Sequence, residues 1–367
     1  MRDTAHSDRR RVSLAEAPLL YGLSPCYSEK VMRTFEEVAK IISPVYLVGG
    51  SVRDQLLGIE PKDYDFTTPL PPDEIEARVR RAGKRAYVAG RRFGTIGFKL
   101  GETSVEVTTF RSESYMPGSR KPRVEFVDDI TYDLSRRDFT INAMALRRDG
   151  SLIDPFGGKQ DLQRKVLRTV GKPQDRFKED PLRMLRAARF VSQLGFTVDT
   201  ATELRVLKHA DKILDVSRER WVQELDRLLE GEHVAEGLEF LARTRLIVFM
   251  IPELSIQVGY DQDSPYHELD LWHHSVKTVE LTPRHVVQRW GALLHDIGKP
   301  YVRVKNRRGY SNYMLHEVVG AELVKKIGRY LGWSNERTHD VTEIVREHLH
   351  NHSPIGIADD AARFKSD

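Results

Sequence analysis

Residues 45–68 constrain the fold of this chain more than any other stretch. Val45-Tyr-Leu-Val48 reads as a short apolar strand that Gly49-Gly50 ends, Ser51 can cap a helix through Leu57 that stops at Gly58, and a second strand runs from Asp63 to Thr68. On that strand Asp63 and Asp65 stand two apart, so both carboxylates leave the same face. Carboxylates this close repel unless a cation bridges them, which makes a divalent-metal site the functional reading. The bland alternative, a capped turn after Pro61, would win for an isolated Asp-x-Asp. Here Gly49-Gly50 and the helix start beside it offer backbone N–H groups to phosphate, with Arg53 one turn in. Neither a Gly-x-Gly-x-x-Gly fingerprint nor a Gly-Lys-Ser/Thr loop is present there. Glu106, between Val105 and Val107, is a candidate third carboxylate, with a solvated outward Glu as the equal alternative.

The surrounding pattern gives the fold class. A helix over Asp73 to Arg81 is followed by β-rich segments at Ala86 to Val88, Thr95 to Leu100 and Ser104 to Phe110, so this part reads as an α/β unit on a small mixed sheet. Pro117, Gly118, Ser119 and Pro122 make Tyr115 to Arg123 a flexible loop. Beyond Asp154-Pro-Phe-Gly-Gly158 the period turns helical, over Asp180 to Leu194, Thr200 to His209, Arg218 to Leu229 and Val234 to Thr244, with a second helical region from about Leu269 to His350. The expected class is α+β: an N-terminal arm over 1–28, a nucleotide-handling head over 29–155, a helical neck over 156–255 and a further helical domain over 256–367. A chain of 367 residues with 40% hydrophobic content can bury two or three such cores.

Composition excludes some classes. No run of 18 or more apolar residues is present, and Met1 to Arg11 is charged without a signal-peptide block, so the expected location is the cytoplasm. A single cysteine, Cys26, rules out an internal disulfide framework and any cysteine-rich zinc module. The net charge of +4 is uninformative, yet Lys159 to Arg189 holds ten basic against four acidic side chains. That surplus suits a triphosphate or an RNA backbone, although a solvated helix face would carry it equally well.

Five motifs in order carry a resemblance. Leu47-Val-Gly-Gly-Ser-Val-Arg-Asp54 with Asp63-Tyr-Asp65, Arg136-Arg-Asp-Phe-Thr-Ile-Asn-Ala143, Asp154-Pro-Phe-Gly-Gly158 and Glu179-Asp-Pro-Leu-Arg-Met-Leu-Arg-Ala-Ala-Arg189 resemble the class II CCA-adding enzymes and bacterial poly(A) polymerases of the polymerase-β superfamily, over roughly residues 40–350. The resemblance implies addition of C and A to tRNA 3′ ends from CTP and ATP, with two Mg²⁺ ions on Asp63 and Asp65. It also implies that Gly49, Gly50 and Arg53 line the triphosphate, and that Arg137, Asp138 and Asn142 contact ribose and phosphates.

Asp180 and Arg183 carry base choice in this reading. Three apart on one expected helix, they should lie side by side. Cytosine and adenine each offer an amine donor beside a ring-nitrogen acceptor, whereas uracil and guanine offer a carbonyl beside a ring N–H. A carboxylate next to a guanidinium therefore accepts C and A and rejects U and G. The ordinary alternative is an intrahelical salt bridge between the two. Arg186 and Arg189 are expected to reach phosphate or to brace the pair.

Leu293-Leu-His-Asp-Ile-Gly-Lys-Pro300, with His274 upstream, resembles the HD phosphohydrolases, which makes His274, His295 and Asp296 candidate ligands for a further divalent metal. His316, His348 and Asp340 are additional candidates, and His273, His339, His350 and His352 read as surface residues. The segment is taken as a structural or RNA-binding body, with an active phosphohydrolase as the alternative. Other readings of the chain are a CC-adding, A-adding or poly(A)-adding relative, against which the Tyr115 to Arg123 loop speaks, and a non-catalytic RNA-binding protein, which would not need paired carboxylates.

Overall fold

A computed structural model describes residues 27–61, 63–114, 123–263 and 268–349. It divides into two compact units. The loop expected over Tyr115 to Arg123 lies outside the described residues except for its last member, which opens the strand Arg123–Phe126. His350 and His352 also lie outside them.

The first unit comprises, among the described residues, 27–112, 125–134 and 144–154. It opens on a helix that the sequence reading did not include, Glu29–Ile41. Ser28 caps it by accepting from the Val31 amide, and Val31, Phe35 and Val38 recur at helical spacing to face the core. Phe35 meets Phe66 edge-on at 5.3 Å between ring centroids, which fixes the helix against the sheet. The sheet is mixed and has six strands, in the order Thr95–Leu100, Thr103–Thr109, Tyr64–Thr68, Tyr46–Val48, Ala145–Leu146, Leu152–Ile153. Its one parallel pairing joins Tyr64–Thr68 to Thr103–Thr109. The expected strand at Ala86 to Val88 is only a bridge from Tyr87 to Gly97.

The second unit holds residues 113–124, 135–143 and the chain from Pro155 onward, and among its described residues it is mainly helical. Helices at Thr200–His209, Arg218–Leu229 and Val234–Arg243 match the expected segments closely. Asp180 to Leu194 does not form one helix. A first helix, Pro173–Glu179, ends at Asp180, whose backbone is extended, and a second runs over Leu182–Leu194. Pro181 is the cause, because a residue before proline is driven out of the helical region. Gly195 closes the second helix at φ 65, and a side chain there would meet the His233 ring at 2.7 Å. Trp221, Trp272 and Trp290 are fully buried, and each indole N–H finds an acceptor in Ile213 O, Glu239 or Asp226. Buried Arg289 ties helix ends together by donating to the carbonyls of Leu229, Gly231 and Thr282. Beyond Leu271 the helices are Leu271–Leu281, Val286–Leu294, Lys299–Val302, His316–Leu331 and Asn335–Glu347. No helix among the described residues is long and apolar enough to cross a membrane.

Candidate functional site

In the first unit the carboxylates converge through strand register. Asp65 is paired directly with Glu106 across the parallel ladder, and around this pair Tyr64, Phe66, Val105 and Val107 are buried while Asp65 and Glu106 are exposed. Asp63 lies one residue ahead of its strand, also exposed. Partial burial pushes the Glu106 carboxyl up, and the charges of Asp65 and Asp63 push it the same way. The outward Glu106 is therefore electrostatically part of the Asp63 and Asp65 cluster, the condition a divalent cation relieves.

The glycine turn sits against this cluster for a reason the sequence reading missed. Gly49, not Ser51, is the N-cap, at φ 70 and ψ −133, a conformation that only glycine adopts readily. Ser51 is free to strap the turn to the carboxylate strand: its hydroxyl donates to Asp63 O at 3.0 Å and accepts from the Asp65 amide at 3.2 Å. Arg53 donates to Asp54 at 2.7 Å.

In the second unit Asp180 and Arg183 are separated by the helix break and do not pair with each other. Arg183 is buried; it donates to Glu179 at 2.6 Å and to the carbonyls of Arg136 and Arg176 at 2.9 and 3.2 Å. Asp180 is held instead by Arg220 of the helix Arg218–Leu229, with contacts of 2.7 and 3.3 Å. The ordinary alternative, an intrahelical Asp180–Arg183 salt bridge, thus does not form. Arg186 and Arg189 brace other groups than that pair. Arg186 donates to Asp138 at 2.8 Å, and Arg189 pairs with buried Glu224 at 3.1 Å. Asp138 also accepts from the Phe139 amide and from Asn142 at 3.0 Å. Burial alone would raise its carboxyl, but Arg186 and these hydrogen bonds hold it well below the usual range. Arg137 reaches the carbonyl of Asn142 at 3.4 Å.

The second unit also contains a preassembled set of metal-ligand groups. Two triads, His274 with His295 and Asp296, and Asp296 with His316 and His348, each have ligand atoms within 4.8 Å of one another. Asp296 belongs to both: its Oδ2 faces His274 at 3.3 Å and His295 at 3.1 Å, and its Oδ1 faces His316 at 3.2 Å and His348 at 3.7 Å. The Nδ1 atoms of His295, His316 and His348 sit 2.6–2.8 Å from the carbonyls of Ala292, Tyr313 and Val345, three residues back in each case. A carbonyl can only accept, so each Nδ1 carries a proton and each Nε2 is directed inward, toward Asp296. His316 and His348 then face each other Nε2 to Nε2 at 3.2 Å, a geometry that favours a cation. Burial pushes His295 down to about 4, and although burial would raise Asp296, His295 and Lys299 hold it well below the usual range. Lys299, which the sequence reading passed over, is buried and donates to Asp296 at 2.7 Å and to Gln262 at 2.9 Å. Asp340, proposed as a ligand from sequence, belongs to neither triad. His273 and His339 are exposed as expected.

Comparison with known proteins places three family models along the chain: the poly A polymerase head domain over 45–168, the probable RNA and SrmB-binding site of polymerase A over 195–257, and the HD domain over 271–362. The chain is 41% identical over 263 residues to a CCA-adding enzyme of Bacillus subtilis, covering 69% of this chain and 60% of that protein. It is 38% identical over 276 residues to the CCA-adding enzyme of Bacillus velezensis, covering 73% and 64%. This chain therefore spans less than two thirds of the length of these relatives. Among solved structures, the Bacillus stearothermophilus CCA-adding enzyme in complex with CTP superposes with a TM-score of 0.62 at 28% identity, over 91% of this chain and 81% of that one.

Proposed function

The chain carries a poly A polymerase head domain, a polymerase A RNA-binding region and an HD domain in that order, and from this premise we propose that it adds CCA, from CTP and ATP, to the 3′ ends of tRNA in the cytoplasm. The domain division that goes with this reading is an arm over 1–28, a head over 29–155, a neck over 156–255 and an HD-type domain over 256–367. The observation that carries it is the parallel pairing that sets Asp65 beside Glu106, with Asp63 close enough to raise the same carboxyl. Asp63, Asp65 and Glu106 would hold Mg²⁺, which supplies activation of the tRNA 3′-hydroxyl and charge compensation for the departing pyrophosphate. Gly49, Gly50 and Arg53 receive the triphosphate, and Ser51 keeps that turn in register with the carboxylates. The 3′-oxygen bonds to the α-phosphorus as the bond to pyrophosphate breaks, so the chain needs no covalent intermediate. Arg137 faces ribose and phosphate, while Asp138 and Asn142 serve by fixing Arg186 and one another.

Asp180 accepts from the exocyclic amine of C or A, and Arg183 donates to the ring nitrogen after giving up one of its carbonyl partners. The test is single-nucleotide incorporation of CTP, ATP, UTP and GTP by Asp180→Ala on tRNA ending before CCA and after CC. Preference for C and A over U and G should fall about ten- to a hundredfold, the worth of one charged hydrogen bond. An equal slowing of all four, with wild-type ratios, would reduce Asp180 to a structural residue.

A second reading, metal-dependent phosphohydrolysis, is favoured by the two triads that share Asp296. His274, His295, Asp296, His316 and His348 would hold one or two divalent ions there. The protein should then open a 2′,3′-cyclic nucleotide to a nucleoside monophosphate, or release phosphate from a 2′-nucleotide, with Ni²⁺, Mn²⁺ or Mg²⁺, and His295→Ala should lose this while retaining nucleotide addition. No hydrolysis with any of these metals would leave the HD part a structural body.

A further inference from the structure

One face of the helix Arg218–Leu229 carries Arg220 and, one turn on, Glu224. Glu224 is 4% exposed and meets Arg189 at 3.1 Å and Arg186 at 3.7 Å. Arg186 in turn holds buried Asp138, so the helix is anchored to Asp138 through this chain of ion pairs. An anchored helix gives Arg220 a defined starting point. Its guanidinium reaches Asp180 through two nitrogens, Nη1 to Oδ1 at 3.3 Å and Nη2 to Oδ2 at 2.7 Å.

An ionised carboxylate offers about four lone-pair directions, two on each oxygen. Oδ1 accepts from Arg220 and from the Leu182 amide at 3.1 Å, and Oδ2, among the described residues, accepts from Arg220 alone. One direction on Oδ2 therefore remains for a further donor. Asp180 stands on the extended residue between two helices, where the Leu182 amide holds Oδ1 and the fork from Arg220 holds both oxygens.

We propose that Arg220 is a specificity-determining positioning residue: it keeps Asp180 aimed, so that a single acceptor direction on Oδ2 is offered to the incoming base. This rests on the reading of Asp180 as the group that reads the exocyclic amine. A carboxylate so held can only accept, which admits the amines of C and A and refuses the carbonyls of U and G. Released from Arg220, the side chain can turn, and its acceptor direction no longer meets the amine of the base. Arg220 needs no contact with the nucleotide.

The experiment measures incorporation of all four nucleotides, with kcat and KM separated, on tRNA ending before CCA for wild type, Arg220→Ala, Arg220→Lys, Asp180→Ala and the Asp180→Ala/Arg220→Ala double variant. Arg220→Ala should lower the preference for CTP over UTP by about tenfold, mostly through a higher KM for CTP, the effect of loosening one charged hydrogen bond. Arg220→Lys keeps the charge but loses the fork, and should recover part of the preference. The double variant should show the ratio of Asp180→Ala alone, because Arg220 acts through Asp180. If Asp180→Ala changes the ratios and neither Arg220 variant does, the positioning role is wrong and the base-reading role stands. If Asp180→Ala leaves the ratios unchanged, the base-reading role fails first. A further fall in the double variant would show that Arg220 acts by another route and would also overturn the proposal. Thermal unfolding of each variant, with Arg220→Lys as the mild change, separates lost selectivity from lost fold.

Discussion

The two groups of candidate metal ligands in this chain are built on opposite principles. Asp63, Asp65 and Glu106 stand exposed on a sheet face, all acidic, with strand register and the Ser51 strap placing them. The HD group is buried, mixes four histidines with one aspartate, and pins three of its imidazoles to carbonyls three residues back. Water screens the repulsion of the first group, so the fold can carry it on an open face. Burial denies the second that screening, and the Lys299 ammonium at 2.7 Å from Asp296 compensates for it. An open acidic face suits ions that arrive with a nucleotide, and a closed histidine cage suits ions that stay.

This contrast breaks most sharply under substitution. Asp63→Ala or Asp65→Ala should cut nucleotide addition by roughly a thousandfold or more, about 4 kcal/mol of transition-state stabilisation. The same changes should move folding stability by no more than about 0.5 kcal/mol, as they touch exposed positions and remove repulsion. Wild-type incorporation rates in either variant would refute the assignment. Asp296→Ala should behave in the opposite way, costing about 3 to 5 kcal/mol in denaturant unfolding by leaving Lys299 without its carboxylate, while the folded fraction still adds nucleotides. A loss below 1 kcal/mol would mean that the buried cluster is not the compensated network described.

Metal loading provides a smaller effect. Mn²⁺ or Ni²⁺ at a hundred times its dissociation constant should stabilise the wild-type fold by about 2.7 kcal/mol, seen as a higher unfolding midpoint that chelator reverses. His295→Ala should lose that increment and Asp65→Ala should keep it. An increment that Asp65→Ala abolishes would place the resident ion in the head.

Asp138 gives the mildest test, since it is a buried acid that is paired but proposed to bind no metal. Its folded carboxyl is held below the ordinary value near 3.9, so its contribution is complete above that pH and is lost as pH falls further toward the folded value. Asp138→Asn should therefore cost about 1 to 3 kcal/mol at neutral pH and show a flatter acid limb below about pH 4. Parallel acid limbs for the two proteins would contradict the pairing with Arg186.

What the sequence made legible was what depends on near neighbours. The glycine turn, the alternation that exposes Asp65 and Glu106, and the helix Arg218–Leu229 all follow from local periodicity and chain geometry. The break at Asp180 was also written locally, in Pro181, but helical period over the following residues outweighed it. Ser51 looked like a cap because it opens a helix, and its real partners, Asp63 O and the Asp65 amide, lie across the turn. Arg220, Glu224 and the meeting of His316 and His348 at Asp296 join residues more than thirty positions apart, which no local pattern encodes.

The most direct measurement of the central claim is the sequence of the products. Wild-type protein should be incubated with tRNA lacking its last three nucleotides and all four nucleoside triphosphates, and the extended 3′ ends read one molecule at a time. The account predicts ends that read CCA and go no further, with U and G nearly absent. Homopolymeric A tails, ends that stop at CC, or unextended tRNA would each contradict it.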